Sequence, residues 1–266
     1  MWEPRTVRLL AQCDGDVAAL QRARPLSPSA LAKIRDQLRT TLTYASNAIE
    51  GNTLSLRETM VVLEGQTVQG KPLRDHLEAV DHAEAFAFVW ELAENTHPLT
   101  ASDVRSLHTL VVRRSLPDDA GRWRTTGVRI GGSAHIPPDP IAVPSLMDQW
   151  VEHWNQVSPA HPIARAARLH SDFVSIHPFL DGNGRTARLL ANLDLIRHGH
   201  RPALFLPHER LQYYDALEAS RAGHWDPLVQ HLAAAVHRGF LECWQPYLTR
   251  TPEPPQPAPQ SPGLVC

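Results

Sequence analysis

Cysteine is scarce: Cys13, Cys243 and Cys266 are the only three in 266 residues. An odd number, widely spaced and without a CxxC pair, excludes a disulfide framework and a zinc knuckle, and fits a reducing, cytoplasmic setting. Long apolar runs are missing too. No stretch approaches about eighteen consecutive apolar residues, so no membrane-spanning helix is expected. The opening MWEPRTVRLLAQCDGD carries no apolar segment of the signal-peptide kind. Nor does one sign of charge dominate. Lys and Arg number 26 against 28 Asp and Glu, a formal −2, so there is no basic field to recruit nucleic acid or an anionic membrane. Function must reside in a local site.

Strand-like alternation is also rare, whereas apolar residues recur at helical spacing through most of the chain. The reading is all-α. SPSALAKIRDQLRTTLTYASNAIEGN predicts one long helix, capped by Ser27 or Ser29 and stopped at Gly51 and Asn52. Ser55 and Glu58 have capping-box spacing for a second helix. RDHLEAVDHAEAFAFVWELAENT predicts a third, with Leu77, Val80, Ala83, Phe86 and Trp90 on its inner face. Thr100 or Ser102 introduces a fourth, the last before the first non-helical region. In that region Val128 and Ile130 alternate with polar residues ahead of Gly131-Gly132, which predicts one small β-hairpin over 128–135. Helices then return in PSLMDQWVEHWNQV and HPIARAARLHSDFVSI, the latter ending at His177 because Pro178 follows. Another opens after DGNG and closes at Gly199, and two more follow. The segment TPEPPQPAPQSPGLVC is too rich in proline to pack and reads as a disordered tail.

The stretch HPFLDGNGRTARLL, from His177 to Leu190, therefore forms a helix–loop–helix junction. Gly182 and Gly184 allow close backbone approach at a helix start, where free N–H groups and the helix dipole form an anion nest. Arg185 and Arg188 project from neighbouring points on that helix and suit phosphate oxygens. Asp181 beside such a nest calls for a bridging cation, and Mg²⁺ prefers a carboxylate plus substrate phosphates. His177, with an ordinary pKa of about 6.5, can take a proton from a hydroxyl nucleophile. Together these residues describe phosphoryl or nucleotidyl transfer. His76, His82, His108, His161, His170, His198, His200 and His208 lack HxxxH or HExxH grouping and read as surface or satisfied core residues.

The same stretch resembles the Fic motif, HxFx(D/E)GNGRxxR, at every constrained position. The resemblance extends over roughly residues 40 to 225. It implies the Fic fold, a helical bundle with a small hairpin flap, and the transfer of AMP from Mg-ATP to a Ser, Thr or Tyr hydroxyl of a target protein. By that resemblance His177 is the base and Asp181 the metal ligand. Gly182, Asn183 and Gly184 form the anion hole, Arg185 and Arg188 hold the ATP phosphates, and Phe179 anchors the loop in the core. SNAIEGN, Ser46 to Asn52, looks like the family's inhibitory motif, with Ser46, Glu50 and Gly51 at its fixed positions and Glu50 pairing with Arg188. Val128, Ile130 and Gly131 belong to the flap that docks a target segment. Tyr213 and Tyr214 stand where members contact the adenine, and Arg221 stands where many carry Asn.

The implied organisation is an N-terminal region carrying the brake (1–96), a Fic core (97–246) and a proline-rich tail (247–266). Partners would be an unknown target protein, the chain itself through self-modification, and a second copy in a homodimer, with no nucleic acid or membrane. Three other activities fit the residues. They are removal of AMP, transfer of another phosphate group, and a non-enzymatic scaffold whose proline-rich tail serves as ligand.

Overall fold

The computed structural model describes residues 2–23, 25–95 and 97–248. Its first helix, α1 (Pro4–Arg22), was not expected from the sequence. No side chain caps its start, and only Thr6, Leu10 and Cys13 are buried. What holds it is distant: it lies on α10 (Asp226–Cys243), where Cys13 Sγ donates to Ala233 O at 3.3 Å and Thr6 Oγ1 to Asp226 Oδ1. Local periodicity carries no trace of a partner more than 200 positions away.

The capped helices begin where their caps stand. Ser27 accepts from the Ala30 N–H at the head of α2 (Pro28–Ile49). Ser55 and Glu58 close a reciprocal capping box on α3 (Leu56–Leu63). After α4 (Leu73–Glu94), Thr100 and Asp103 do the same for α5 (Ala101–Val112). Each box satisfies N–H donors that a helix start leaves without intrahelical acceptors.

Helix α4 departs from the single inner face expected of it. Ala83 and Phe86 are buried, but Leu77, Val80 and Trp90 are only half-buried, while Asp75, Glu78, Asp81 and His82 are buried. The cause is its position, packed on α2, α5 and α8 (Asn183–Arg197) together. Buried polar groups need partners: Asp75 accepts from Thr53, Glu78 from Arg74 and Asn52, Asp81 from Arg114, and His82 meets Thr43 of α2.

Helices α6 (Val143–Asn155) and α7 (Pro162–Ile176) precede α8, and α9 (Arg210–Arg221) and α10 follow it, with a short α11 (Gln245–Leu248) last. One hydrophobic core runs through all these layers from Leu10 to Trp244. Cys13 and Cys243 are free thiols within it. From residue 249 onward the proline-rich tail lies outside the described residues.

The hairpin expected over 128–135 is not formed: among the described residues there is no strand. The turn itself exists, with Gly132 at φ 76° and the Ser133 N–H donating to Ile130 O at 3.2 Å. Two features keep the flanking residues from extending a ladder. Pro137 and Pro138 have no N–H to give on the returning arm. The Arg124 guanidinium meanwhile takes the Thr126 and Pro138 carbonyls that pairing would use.

Candidate active site

The α7–α8 junction is built around one unusual backbone position. His177 ends α7 at φ 50°, ψ 60°, the sole non-glycine residue with positive φ among those described. Pro178 bars its predecessor from the right-handed helical region, and the left-handed alternative costs an L-residue about 1–2 kcal/mol. Arg124 braces it: Nε donates to His177 O at 2.8 Å, and the Arg124 N–H donates to Pro178 O at 2.9 Å. Nothing in the motif pointed to Arg124. The His177 Nδ1 lies 3.3 Å from Val174 O, which can only accept, so Nδ1 carries the hydrogen and Nε2 keeps its lone pair. Burial pushes its pKa down to about 4. The ring is therefore a neutral acceptor at pH 7.

The loop between the helices is locked from beneath. Phe179 is fully buried, stacked on His108 with centroids 3.5 Å apart and planes at 4°, and flanked by Trp123. Asn183 bonds both backbone groups of Phe179, accepting its N–H at 2.9 Å and donating to its carbonyl at 2.8 Å. Sequence reasoning read His108 as a surface or satisfied core residue, and it is the latter. In the structure its Nδ1 accepts the Gly121 N–H at 3.0 Å and its Nε2 faces the Asp181 carbonyl at 2.9 Å. This fixes one neutral tautomer, and burial lowers its pKa to about 4. A lone histidine seven positions from a helix start gives no sequence signal for such a role.

Glycine is required at one position here and closely packed at a second. Gly182 sits at φ 76°, and a Cβ there would lie 2.7 Å from Val112 Cγ1. A Cβ at Gly184 would collide with Glu50 Oε1 and lie 3.2 Å from Arg188 Nη1. The Gly182 N–H is already given to Asp181 Oδ1 at 2.6 Å. The N–H groups of Asn183, Gly184 and Arg185 open α8 and have no intrahelical acceptor.

Glu50, the last residue of the SNAIE segment before Gly51 turns at φ 98°, reaches the mouth of this nest. Its Oε1 accepts from Arg188 Nη2 at 2.7 Å. Ser46, one helical turn earlier, holds the same guanidinium through its hydroxyl (3.0 Å) and carbonyl (2.9 Å). Arg188 is buried, and Nη1 has no partner. Burial works against its charge, but Glu50 and Tyr213 outweigh this and hold its pKa above the usual arginine value.

Asp181 faces a separate set of cations. Arg74 donates to its Oδ2 at 3.0 Å, and Arg185 lies 3.6 Å from Oδ1. Burial would raise the Asp181 pKa, yet Arg185, the Gly182 N–H and Arg74 together hold it below the ordinary carboxylate value. Arg185 is buried, its Nη1 ion-paired with Glu78 Oε1 at 3.4 Å but not hydrogen-bonded and its Nε without a hydrogen-bond partner. Orphaned guanidinium nitrogens beside an ionised carboxylate fit a site that takes a polyphosphate with Mg²⁺.

A cavity of about 240 Å³ lies above the junction. It is lined by Glu50, His177, Gly184, Arg188, Tyr213, Tyr214, Leu217, Glu218, Arg210 and Arg221, together with residues 129–133. Ile130 and Gly131 are thus on its wall, whereas Val128, Asp181, Gly182, Asn183 and Arg185 are not. Tyr213 is buried, its hydroxyl 2.7 Å from His170 Nε2, and its pKa is pushed up to about 12 by burial. Tyr214 is half-buried and meets Arg210 through both hydroxyl and ring face.

Residues 98–195 match the model of the Fic/DOC family. Over 81% of its length the chain is 36% identical to Protein adenylyltransferase Fic of Drosophila grimshawi, spanning 44% of that relative; it thus covers less than half of such curated relatives. Among solved structures it resembles a fragment of Fic-1 from C. elegans, with TM-score 0.81 and 30% identity over 89% of this chain and 71% of that one. A Fic domain containing signaling protein from Bacteroides thetaiotaomicron gives 0.76 and 25%, covering 89% and 94%. With that agreement in sequence and fold, this chain belongs to the Fic family.

Proposed function

We propose that the chain is a protein adenylyltransferase held off by its own Glu50. The observation that carries the reading is the contact of Glu50 with Arg188 at the mouth of the α8 nest, 2.7 Å long. In transfer, a target hydroxyl gives its proton to His177 Nε2 as its oxygen attacks the α-phosphorus. The bond to the bridging oxygen breaks, and pyrophosphate leaves. The N–H groups opening α8 stabilise the phosphate oxygens, and Arg188, once released, holds the terminal phosphate. Mg²⁺ would be held by Asp181 and would neutralise charge on the polyphosphate. The relatives' names and the neutral, oriented His177 support this assignment.

In this reading residues 97–246 carry the catalysis and 1–96 the brake, in a reducing, cytoplasmic setting that suits the buried free thiols. No helix of the described residues is long and apolar enough to cross a membrane. The target is an unidentified protein, with the chain itself as a further acceptor and a second copy as its partner in a homodimer. Mass spectrometry of the Glu50→Gly protein, incubated with Mg-ATP and lysate, tests it: adenylyl-modified Ser, Thr or Tyr peptides are expected. Their absence from the variant, with ATP bound, would leave the scaffold reading. Faster loss of AMP from a modified target with the parent than with the variant would favour removal.

A further inference from the structure

Three side chains that no sequence motif groups meet beside α1. Asp14 lies on α1, His161 caps the start of α7, and His200 follows the Gly199 turn beyond α8. His161 Nε2 is 3.1 Å from Asp14 Oδ1 across 147 positions, and the His161 and His200 rings have centroids 5.6 Å apart. One ligand atom from each of the three lies within 4.8 Å of the other two. None of these residues lines the cavity above the α7–α8 junction. His200 is buried, and its Nδ1 has no hydrogen-bond partner. Burial pushes its pKa down to about 4, so no proton competes for the ring at pH 7. The adjoining cation, Arg201, is engaged by the Gly199 carbonyl and the Trp244 ring.

We infer that Asp14, His161 and His200 form a binding site for a divalent transition-metal ion, Zn²⁺ by ligand type, which ties α1 to the start of α7 and the end of α8. Two imidazoles and a carboxylate suit such an ion, whereas Mg²⁺ and Ca²⁺ call for oxygen ligands. Ligand atoms around a tetrahedral zinc stand about 3.3 Å apart. The Asp14–His161 pair already has that spacing, and the exposed Asp14 side chain and half-buried His161 ring can turn to close the other gaps. His161 Nδ1 accepts the Ile163 N–H at 3.2 Å, so without metal Nε2 carries the hydrogen that Asp14 accepts. The ion takes that hydrogen's place: the proton passes through water to Nδ1, which releases the Ile163 N–H. One cap bond and one surface contact are thus exchanged for three metal–ligand bonds, with water in the fourth position. Helix α1 starts without a side-chain cap and buries only three residues, so a tie at Asp14 adds to its hold on the core.

Zinc uptake by the full, untagged chain, stripped with EDTA and titrated against a chromophoric chelator without nucleotide, tests this. The expected result is one tightly held ion per chain and a thermal midpoint raised by Zn²⁺ but not by Mg²⁺. Asp14→Asn changes an exposed side chain and should weaken uptake by roughly tenfold or more and remove the thermal shift. His200→Gln should do the same, and His161→Gln serves if the His200 variant fails to fold. The Asp181→Ala protein should take up zinc as the parent does, which separates this site from the phosphate nest. No saturable uptake below about 100 μM Zn²⁺, or equal uptake by the parent, Asp14→Asn and His161→Gln, would overturn the inference. Uptake that survives Asp14→Asn but is lost with Asp181→Ala would place the ion at the nest and overturn it as well.

Discussion

Arg188 Nη2 is bonded to Glu50 Oε1 at 2.7 Å across 138 positions of sequence, and Ser46 holds the same side chain from one turn earlier. Glu50→Gly removes the only carboxylate in that arrangement and leaves Ser46 to keep Arg188 in place. A charge-assisted bond contributes about 1.5–3 kcal/mol, and the lower part of that range applies because a third of the Glu50 side chain is exposed. AMP transfer should therefore rise on the order of tenfold, most visibly as self-modification. Arg188→Ala added to Glu50→Gly should abolish the gain. Equal labelling by parent and Glu50→Gly across a range of ATP concentrations would end the self-inhibition reading.

His177→Ala should lower transfer by about 10²–10⁴-fold with ATP binding nearly unchanged, since in the proposed reaction its Nε2 takes a proton and holds no phosphate. The pH profile follows from burial. With a pKa near 4, the base stays neutral well below pH 6.5 and is lost only as pH falls through about 4. A profile of single-turnover transfer that already halves near pH 6.5 would show that another group is the base.

Asp181→Ala should reduce transfer and make what remains insensitive to added Mg²⁺. Its present partners, Arg74 and Arg185, would keep only the other anion they share, Glu78. A normal Mg²⁺ titration of the variant would move the metal to a different carboxylate.

His108→Ala should cost about 3–5 kcal/mol in urea unfolding. It strands the buried Gly121 N–H and Asp181 carbonyl and empties the space against Phe179. A loss below about 1 kcal/mol would mean that the loop is held without it.

Acid should weaken the fold before it reaches the carboxylates. His82 is held near 3, and His108, His170, His177 and His200 near 4, in each case chiefly by burial. All lie below the unfolded value of about 6.5, so the unfolded chain binds protons that the native one refuses. Stability is full above pH 6.5 and falls as pH drops from there toward 4, by roughly 1 kcal/mol per pH unit for each histidine. Urea midpoints at pH 7.5 and 5 measure it; equal midpoints would show that these rings titrate normally in the fold.

Much of this was readable in the chain because it is local. The capping box at Ser55 and a cap at Thr100 or Ser102 placed helix starts, Pro178 placed the end of α7, and the order of His177, Asp181, Gly182, Gly184, Arg185 and Arg188 pointed to the chemistry proposed for the junction. The resemblance supplied Glu50. Other features were decided only in three dimensions. Helix α1 exists by lying on α10, the many-sided burial of α4 follows from three neighbours, and the residues flanking the 129–133 turn give their carbonyls, at Thr126 and Pro138, to Arg124. His108 and Arg124 became supports of the loop through partners 53 or more positions away. Sequence determines spacing along one helix or turn; which distant donor meets which acceptor is settled only when buried polar groups must be satisfied in a packed interior.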